Sequence, residues 1–380
     1  MSRETNSKKK ICMIVPNKMV MGGIAAVVNG YPGSALEERY DITYVETYCD
    51  GGKLKKLFKA IKGYFHYIYV LLYDTPDLVH IHSSFGPSFY RKMPFIDMAE
   101  RAGIPIVNHI HGAEFDAFFE NASPKKKALI KKTYSKCSRL IALSDEWRER
   151  LSQIVDKDRI DIIPNYSKIM VSENEVSELV SKRYAKPYVL FLGELGKRKG
   201  CFDMPEIAKK VWEKAPEISF VLGGKGSDFD EADIKMAFEK SGAAILKHYE
   251  ESADAKTNKP KVYFPGWVRD DIKDSLLRNA LIFILPSYNE GLPMSILDAM
   301  GYALPIVSTE VGGISKIVKN DINGFCLKPG DTKAMADAII ALCKDQDMCL
   351  KYSENSLDII KKGFSLDSHI DLLCETYEKA

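Results

Sequence analysis

Short apolar runs alternate with amphipathic stretches along this chain. A basic lead, Lys8-Lys9-Lys10, runs into Ile11-Cys12-Met13-Ile14-Val15-Pro16, which reads as a first buried strand. Asp41–Thr47, Leu78–His82, Ile104–His109, Arg139–Leu143 and Arg159–Ile163 read the same way, with helical patterns between most of them. Strands alternating with helices predict a parallel sheet with crossovers, hence a Rossmann-like domain. The rhythm then fades. Val171–Lys186 is polar, with Ser172-Glu173-Asn174-Glu175 and Ser177-Glu178, and reads as a surface segment or linker at a domain boundary.

Pro187–Gly193 restarts the alternation, and Glu217–Gly223, Lys261–Pro265, Ala280–Pro286, Leu304–Ser308 and Gly324–Leu327 continue it. The expected architecture is therefore α/β, with Rossmann-like parallel-sheet domains over 1–180 and 187–365. The duplication is architectural, since no sequence repeat is visible. In the tail, Ile370, Leu373 and Tyr377 recur at helical spacing. Spacing alone leaves open which domain that helix joins.

A length of 380 residues suits two domains, and 46% apolar with 28% charged residues is the composition of a soluble globular protein. A net charge of +2 gives no whole-molecule pull toward nucleic acid. The eight cysteines form no C-x-x-C and no Cys/His cluster with zinc spacing. The basic start Met1–Lys10 has no signal-peptide pattern, and no apolar run is long enough to span a bilayer. Reduced thiols and a cytoplasmic location are expected.

The chemistry concentrates in Ser287–Met300. The run Ala280–Pro286 before it is apolar, and Met294, Leu297 and Met300 after it keep helical spacing. Pro293 suits a first helical turn, where its missing N–H has no intrahelical partner. The loop at Glu290 thus joins the carboxyl end of a strand to a helix N-terminus, where free N–H groups and the helix dipole favour a diphosphate. Two carboxylates beside a phosphate site, Glu290 and Asp298, would suit neutral hydroxyls as partners, because an acceptor-only group takes O–H donors. Taken alone, they also fit a solvated loop carboxylate and a helix N-terminal charge.

Other strand ends carry further candidates. Gly193-Glu194-Leu195-Gly196-Lys197-Arg198-Lys199-Gly200 places three consecutive cations after glycines, suited to diphosphate oxygens. Gly22-Gly23 and Gly223-Gly224 are turns that let backbone approach a ligand closely. His111-Gly112 follows a strand, and His80 and His82 face one side of another. The His-x-His pair invites a zinc reading, but no third ligand is spaced nearby in sequence, so it reads as strand-end structure.

The stretch at Glu290 resembles the E-x7-E signature of the glycosyltransferase family 4 enzymes, which have the two-domain GT-B fold with a central cleft. Glu290 matches the first acid and Asp298 replaces the second with a shorter side chain. Gly193–Gly200 resembles the family's G-R-L-x-x-x-K-G element. Lys199 matches its Lys, Glu194 stands where its Arg usually is, and Arg198 or Lys197 is the candidate replacement. Val221–Gly226, Val262–Val268 with Trp267 and Val268, Pro305–Gly313 and Asn323-Gly324-Phe325 resemble later elements in the family's order. The resemblance implies that the tail 366–380 crosses back onto the first domain. It implies a retaining, metal-independent hexosyl transfer from a nucleotide diphosphate sugar, with UDP the commonest carrier and no further cofactor. Glu290, His111 and Lys199 are its implied catalytic residues. Gly22, Gly23, Arg198, Lys199, Gly223, Gly224, Trp267, Val268, Glu290, Gly291, Leu292, Pro293, Met294 and Asp298 are its implied donor contacts. The acceptor is a glycan, a lipid-linked or a small-molecule hydroxyl.

Two other readings remain open. Glu194 and Asp298 motivate a catalytically impaired nucleotide-sugar-binding partner subunit, and the same fold also serves nucleotide-sugar epimerases and phosphorylases. A metal-dependent transferase needs an Asp-x-Asp, and Asp156–Asp158, Asp228–Asp230 and Asp345–Asp347 match that pattern about as often as chance provides. Finally, Lys53–Leu72 and Ser123–Leu140 are basic, amphipathic and free of acids. Such helices suit the anionic inner face of a membrane, and equally a solvated face packed on its apolar side.

Overall fold

The computed structural model describes residues 8–112, 115–226, 228–246 and 261–380. The chain divides into two units, one holding Met1–Tyr166 with Leu366–Ala380, the other Ser167–Ser365. The first has six parallel strands: β1 (Lys10–Val15), β2 (Asp41–Glu46), β3 (Leu78–Ser83), β4 (Ile106–Ile110), β5 (Arg139–Ala142) and β6 (Ile160–Ile162). Their order is β2-β1-β3-β4-β5-β6. The step from β1 to β2 runs one way across the sheet and every later step runs the other. Right-handed crossovers therefore put helices Gly23–Val28 and Ala35–Arg39 on one face, and Lys53–Tyr73, Pro87–Arg101 and Pro124–Tyr134 on the opposite face. Helix Leu366–Lys379 packs beside Ala35–Arg39 on the first face. Central strands are buried on both sides, which is why β3 and β4 read as continuous buried runs.

The second unit has seven parallel strands: β7 (Tyr188–Leu192), β8 (Ser219–Gly223), β9 (Ala244–Leu246), β10 (Lys261–Gly266), β11 (Ile282–Leu285), β12 (Ile306–Thr309) and β13 (Gly324–Leu327). Their order is β13-β12-β11-β7-β8-β10-β9. From β7 the chain builds outward on one side, then returns to build β11, β12 and β13 on the other. The reversal falls between β7 and β11, whose carboxyl ends flank the crevice where open α/β sheets bind ligands.

Three local expectations change. Strand β9 was not legible, being three residues at the sheet edge and paired only with β10. The polar stretch 171–186 is no linker. It contains helix Glu173–Ala185, opened by a Ser172/Glu175 capping box and buried through Val176, Val180 and Arg183. The Arg183 guanidinium donates to the carbonyls of Arg278, Tyr302 and Ala303, so a charged residue serves as a core residue of the second unit. Pro293 stands one position earlier than expected, as the N-cap of helix Met294–Gly301. All eight cysteines are unpaired thiols. Burial pushes Cys12 and Cys137 up to about 12, which leaves them unreactive near neutral pH.

Candidate active site

The site in the second unit is built by loops that close on one another. After β7, the turn Lys197–Lys199 ends at Gly200, which is left-handed at φ 71°. A Cβ on Gly200 would lie 1.9 Å from the carbonyl oxygen of Pro286, in the loop after β11. A Cβ on Gly312 would lie 1.9 Å from the Glu290 carbonyl oxygen, and the Gly313 N–H donates to Gly291 at 2.6 Å. The Gly224 N–H donates to the Gly266 carbonyl, and a Cβ there would lie 1.7 Å from the Gly193 oxygen. Glycines thus bring the backbones after β7, β8, β10, β11 and β12 into contact. Gly200→Ala combines a disfavoured φ with a backbone clash, so a loss of roughly 1–3 kcal/mol is expected in denaturant unfolding. A midpoint equal to that of the native chain would contradict this account.

This closure sets the charges. Lys199 Nζ lies 2.5 Å from Glu290 Oε1, with the two side chains 14% and 7% exposed. Ser287, fully buried, donates its hydroxyl to the same carboxylate oxygen at 2.6 Å. Arg198 donates to the Asn289 carbonyl at 3.1 Å, and its guanidinium lies 3.9 Å from Glu290. The Tyr288 N–H donates back to the Arg198 carbonyl at 2.9 Å. Glu290 is therefore held by an ammonium and a hydroxyl at the mouth of helix Met294–Gly301, whose first N–H groups have no intrahelical acceptor.

Other expected contacts fall nearby with different surroundings. Glu194, at the family's Arg position, pairs with Arg198 at 3.1 Å on an exposed surface, so part of the Arg198 charge is already engaged. Asp298 pairs with Lys273 at 2.5 Å and accepts a hydrogen bond from Ser167 at 3.4 Å. Gly223 ends β8, Val268 is buried beside it, and Trp267 is part exposed. Gly291, Leu292 and Pro293 form the turn into the helix that begins at Met294. Sequence reasoning missed Ser287, Lys273 and the grip of Gly312 and Gly313. Ser287 stands three positions before Glu290, a local signal. Lys273 lies on another helix and has none.

Asp156 and Asp345 are helix N-caps, Asp158 sits in a three-residue helical turn and Asp347 in the first turn of helix Gln346–Gly363. Asp228-x-Asp230 opens helix Asp228–Lys240, and the Asp228 side chain lies outside the described residues, as does the basic start at 1–7.

The remaining expected residues are in the first unit. Gly22 caps helix Gly23–Val28 after β1, and open space surrounds both glycines. His111, just past β4, pairs its Nε2 with His82 Nδ1 at 2.9 Å. It belongs to a stack the sequence did not reveal. His80, His82 and His109 place ligand-capable nitrogens within 4.8 Å of one another, so the third histidine comes from the adjacent strand. His80 pairs with Tyr377 at 2.6 Å. His369 donates Nδ1–H to the Pro164 carbonyl, which leaves its Nε2 to accept from Tyr31. Both ring nitrogens of His109 lack a hydrogen-bond partner among the described residues. Burial first, and then the charge of neighbouring histidines, pulls His80 down to about 3 and His109 well below its usual value.

Two family models match the chain: Glycosyltransferase Family 4 over residues 25–166 and Glycosyl transferases group 1 over 174–358. An Escherichia coli relative, UDP-Gal:alpha-D-GlcNAc-diphosphoundecaprenol alpha-1,3-galactosyltransferase, is 26% identical over 96% of this chain and 90% of its own length. Among solved structures, Anabaena HepE in complex with UDP and glucose aligns with a TM-score of 0.69 at 18% identity, over 98% of this chain and all of that one. Sucrose-phosphate synthase from Thermosynechococcus elongatus aligns at 0.73 and 17%, over 98% of this chain and 99% of that one. These two likenesses concern the fold. With an acid and a lysine meeting at the switch point of its second sheet, and matching models over both halves, the chain belongs to glycosyltransferase family 4 and has the GT-B fold.

Proposed function

We propose that this glycosyltransferase moves a hexosyl unit from a nucleotide diphosphate sugar, with UDP as carrier, to a hydroxyl of a lipid-linked glycan in polysaccharide or glycolipid biosynthesis. The observation that carries the reading is the Lys199–Glu290 pair, nearly buried where β7 and β11 diverge. The Escherichia coli relative, whose name specifies a UDP sugar and a diphosphoundecaprenol-linked acceptor, supports the choice of substrates.

In this reading the unliganded ion pair is a resting arrangement. A diphosphate competes for Lys199, and the released Glu290 carboxylate accepts hydrogen bonds from the sugar. When the anomeric C–O bond breaks, its electron pair leaves on the phosphate oxygen. Lys199, Arg198 and the amides at the start of helix Met294–Gly301 stabilise that charge. The acceptor oxygen bonds the anomeric carbon on the same face, and its proton passes to the departing phosphate. Asp298 reaches the ribose after parting from Lys273. Side-chain cations supply the charge that a metal supplies elsewhere, so activity is expected to survive EDTA.

The test is incubation with UDP-sugars and a diphospholipid-linked saccharide, with the new linkage read by NMR. An axial-to-axial outcome supports the reading. An inverted product, or complete loss of turnover in EDTA, contradicts it. The pairing of Glu194 with Arg198 and of Asp298 with Lys273 favours a second reading, an impaired nucleotide-sugar-binding subunit. Turnover that is equal in the native chain and Glu290→Ala would select it.

A further inference from the structure

The helix Lys53–Tyr73 is mounted with its apolar side outward. It rests on its own unit through Gly63, Tyr67 and Val70. The seat is close, since a Cβ on Gly63 would lie 2.7 Å from the Glu46 carbonyl oxygen. At roughly 100° per residue, that seat directs Leu54, Phe58, Ile61, Phe65, Ile68 and Leu72 away from the core. All six are exposed, Phe58 and Phe65 by 70% each. A surface helix of a globular protein normally buries such a stripe. A contiguous exposed one marks an interaction face.

The charge around the stripe indicates what covers it. Lys53, Lys55, Lys56, Lys59 and Lys62 lie on this helix with no Asp or Glu. Lys59 pairs with Glu46 from β2 and Lys56 lies over the Tyr48 ring, whereas Lys53, Lys55 and Lys62 border the stripe. A second basic helix belongs to the same layer, beyond Pro87–Arg101, which carries Asp97 and Glu100. Pro87–Arg101 separates this helix from Pro124–Tyr134, whose lysines include Lys125 and Lys132. A second copy of the chain meeting this face symmetrically would bring lysine against lysine. Anionic lipid satisfies both requirements at once, with headgroups for the ammonium groups and acyl chains for the stripe. No helix among the described residues is long and apolar enough to cross a membrane, so a bilayer would be met by this one in the interface plane.

We propose that Leu54, Phe58, Ile61, Phe65, Ile68 and Leu72 insert into the acyl boundary of an anionic bilayer, with the flanking lysines on the headgroups. This deepens the lipid-linked-acceptor reading by naming the surface on which such an acceptor is met. It differs from electrostatic adsorption, because an inserted stripe retains affinity when salt screens the lysines.

The test is flotation of the full chain with vesicles of phosphatidylglycerol and phosphatidylethanolamine, at low and high salt, against the double variant F58S/F65S. The native chain is expected to float with these vesicles and to leave phosphatidylcholine vesicles largely unbound. The variant is expected to lose at least tenfold in partitioning at both salt concentrations, while its thermal midpoint and its UDP-induced thermal shift stay unchanged. Three results would overturn the proposal. They are no flotation of the native chain at low salt, equal flotation of the variant, or a native dimer that the variant converts to monomer without vesicle binding in either form. UDP binding, read in parallel, reports on the transfer reading alone.

Discussion

Lys199→Ala is expected to lower turnover roughly 100–1000-fold, the range seen when one charge-stabilising donor is removed from a developing oxyanion. It is also expected to destabilise the second unit. The Glu290 carboxylate would remain buried with Ser287 and the more distant Arg198 guanidinium at 3.9 Å, and breaking a buried pair from one side costs about 3 kcal/mol. The double variant K199A/E290Q separates the two effects. It removes the stranded charge, so its denaturant midpoint should return most of the way to the native value. Its turnover should stay low, because nothing replaces the ammonium on the leaving phosphate. Initial rates at saturating donor and urea midpoints check both halves. Recovered turnover in the double variant, or near-native turnover in Lys199→Ala, would remove Lys199 from the chemistry.

The first unit is expected to lose stability steeply as pH falls below about 6.5. His80, His82, His109, His111 and His369 all have folded values below the ordinary 6.5, with burial as the first cause in each. Between 6.5 and those folded values the unfolded chain holds more protons than the folded one. Stability is therefore complete above 6.5 and declines as the medium acidifies, by about 1.4 kcal/mol per pH unit for each such histidine. Carboxylates contribute to acid unfolding as well, so the comparison that isolates the stack is His109→Phe. That change removes two ring nitrogens with no partner among the described residues and keeps a planar ring, and the strain of its larger size is common to both pH values and cancels in the comparison. Relative to the native chain, the variant should gain about 2 kcal/mol at pH 5 over its difference at pH 8. Identical pH profiles for the two proteins would show that His109 is not buried neutral.

The alternation of buried runs made the two-sheet architecture legible, because a parallel strand covered on both faces is apolar along its length, as Val189–Leu192 and Ile282–Leu285 are. Edge strand β9 lacked that signature. Helix Glu173–Ala185 hid for the opposite reason, since its buried face holds only two valines beside an arginine whose guanidinium donates to three carbonyls. At the site, motif order placed Lys199 and Glu290, and the structure brings their side chains together. The partners that modify the pattern were not legible. Lys273 on Asp298 and Glu194 on Arg198 are contacts made by fold geometry. The histidine stack has no linear signature, because the adjacent strand supplies the third ring at a shared register and not at metal-type spacing along one strand. The outward stripe of Lys53–Tyr73 was visible as amphipathicity. Which side met the core was decided by Gly63, a position with no side chain to announce it.

The second unit leaves and rejoins the rest of the chain at one place. Ser167 and Ser365 are bridged, and the Ser167 N–H donates to the Phe364 carbonyl at 2.8 Å. Everything from Ser167 to Ser365 is thus an insertion into the first unit, whose last helix brings Tyr377 to His80 and His369 to Tyr31. On a ribosome adding ~5–20 residues per second, the amino-terminal sheet therefore waits roughly 10–40 s for its final helix, while the inserted unit emerges in one piece. Nascent chains halted before Leu366 would expose an unfinished first unit to chaperones even though the unit made later is already whole.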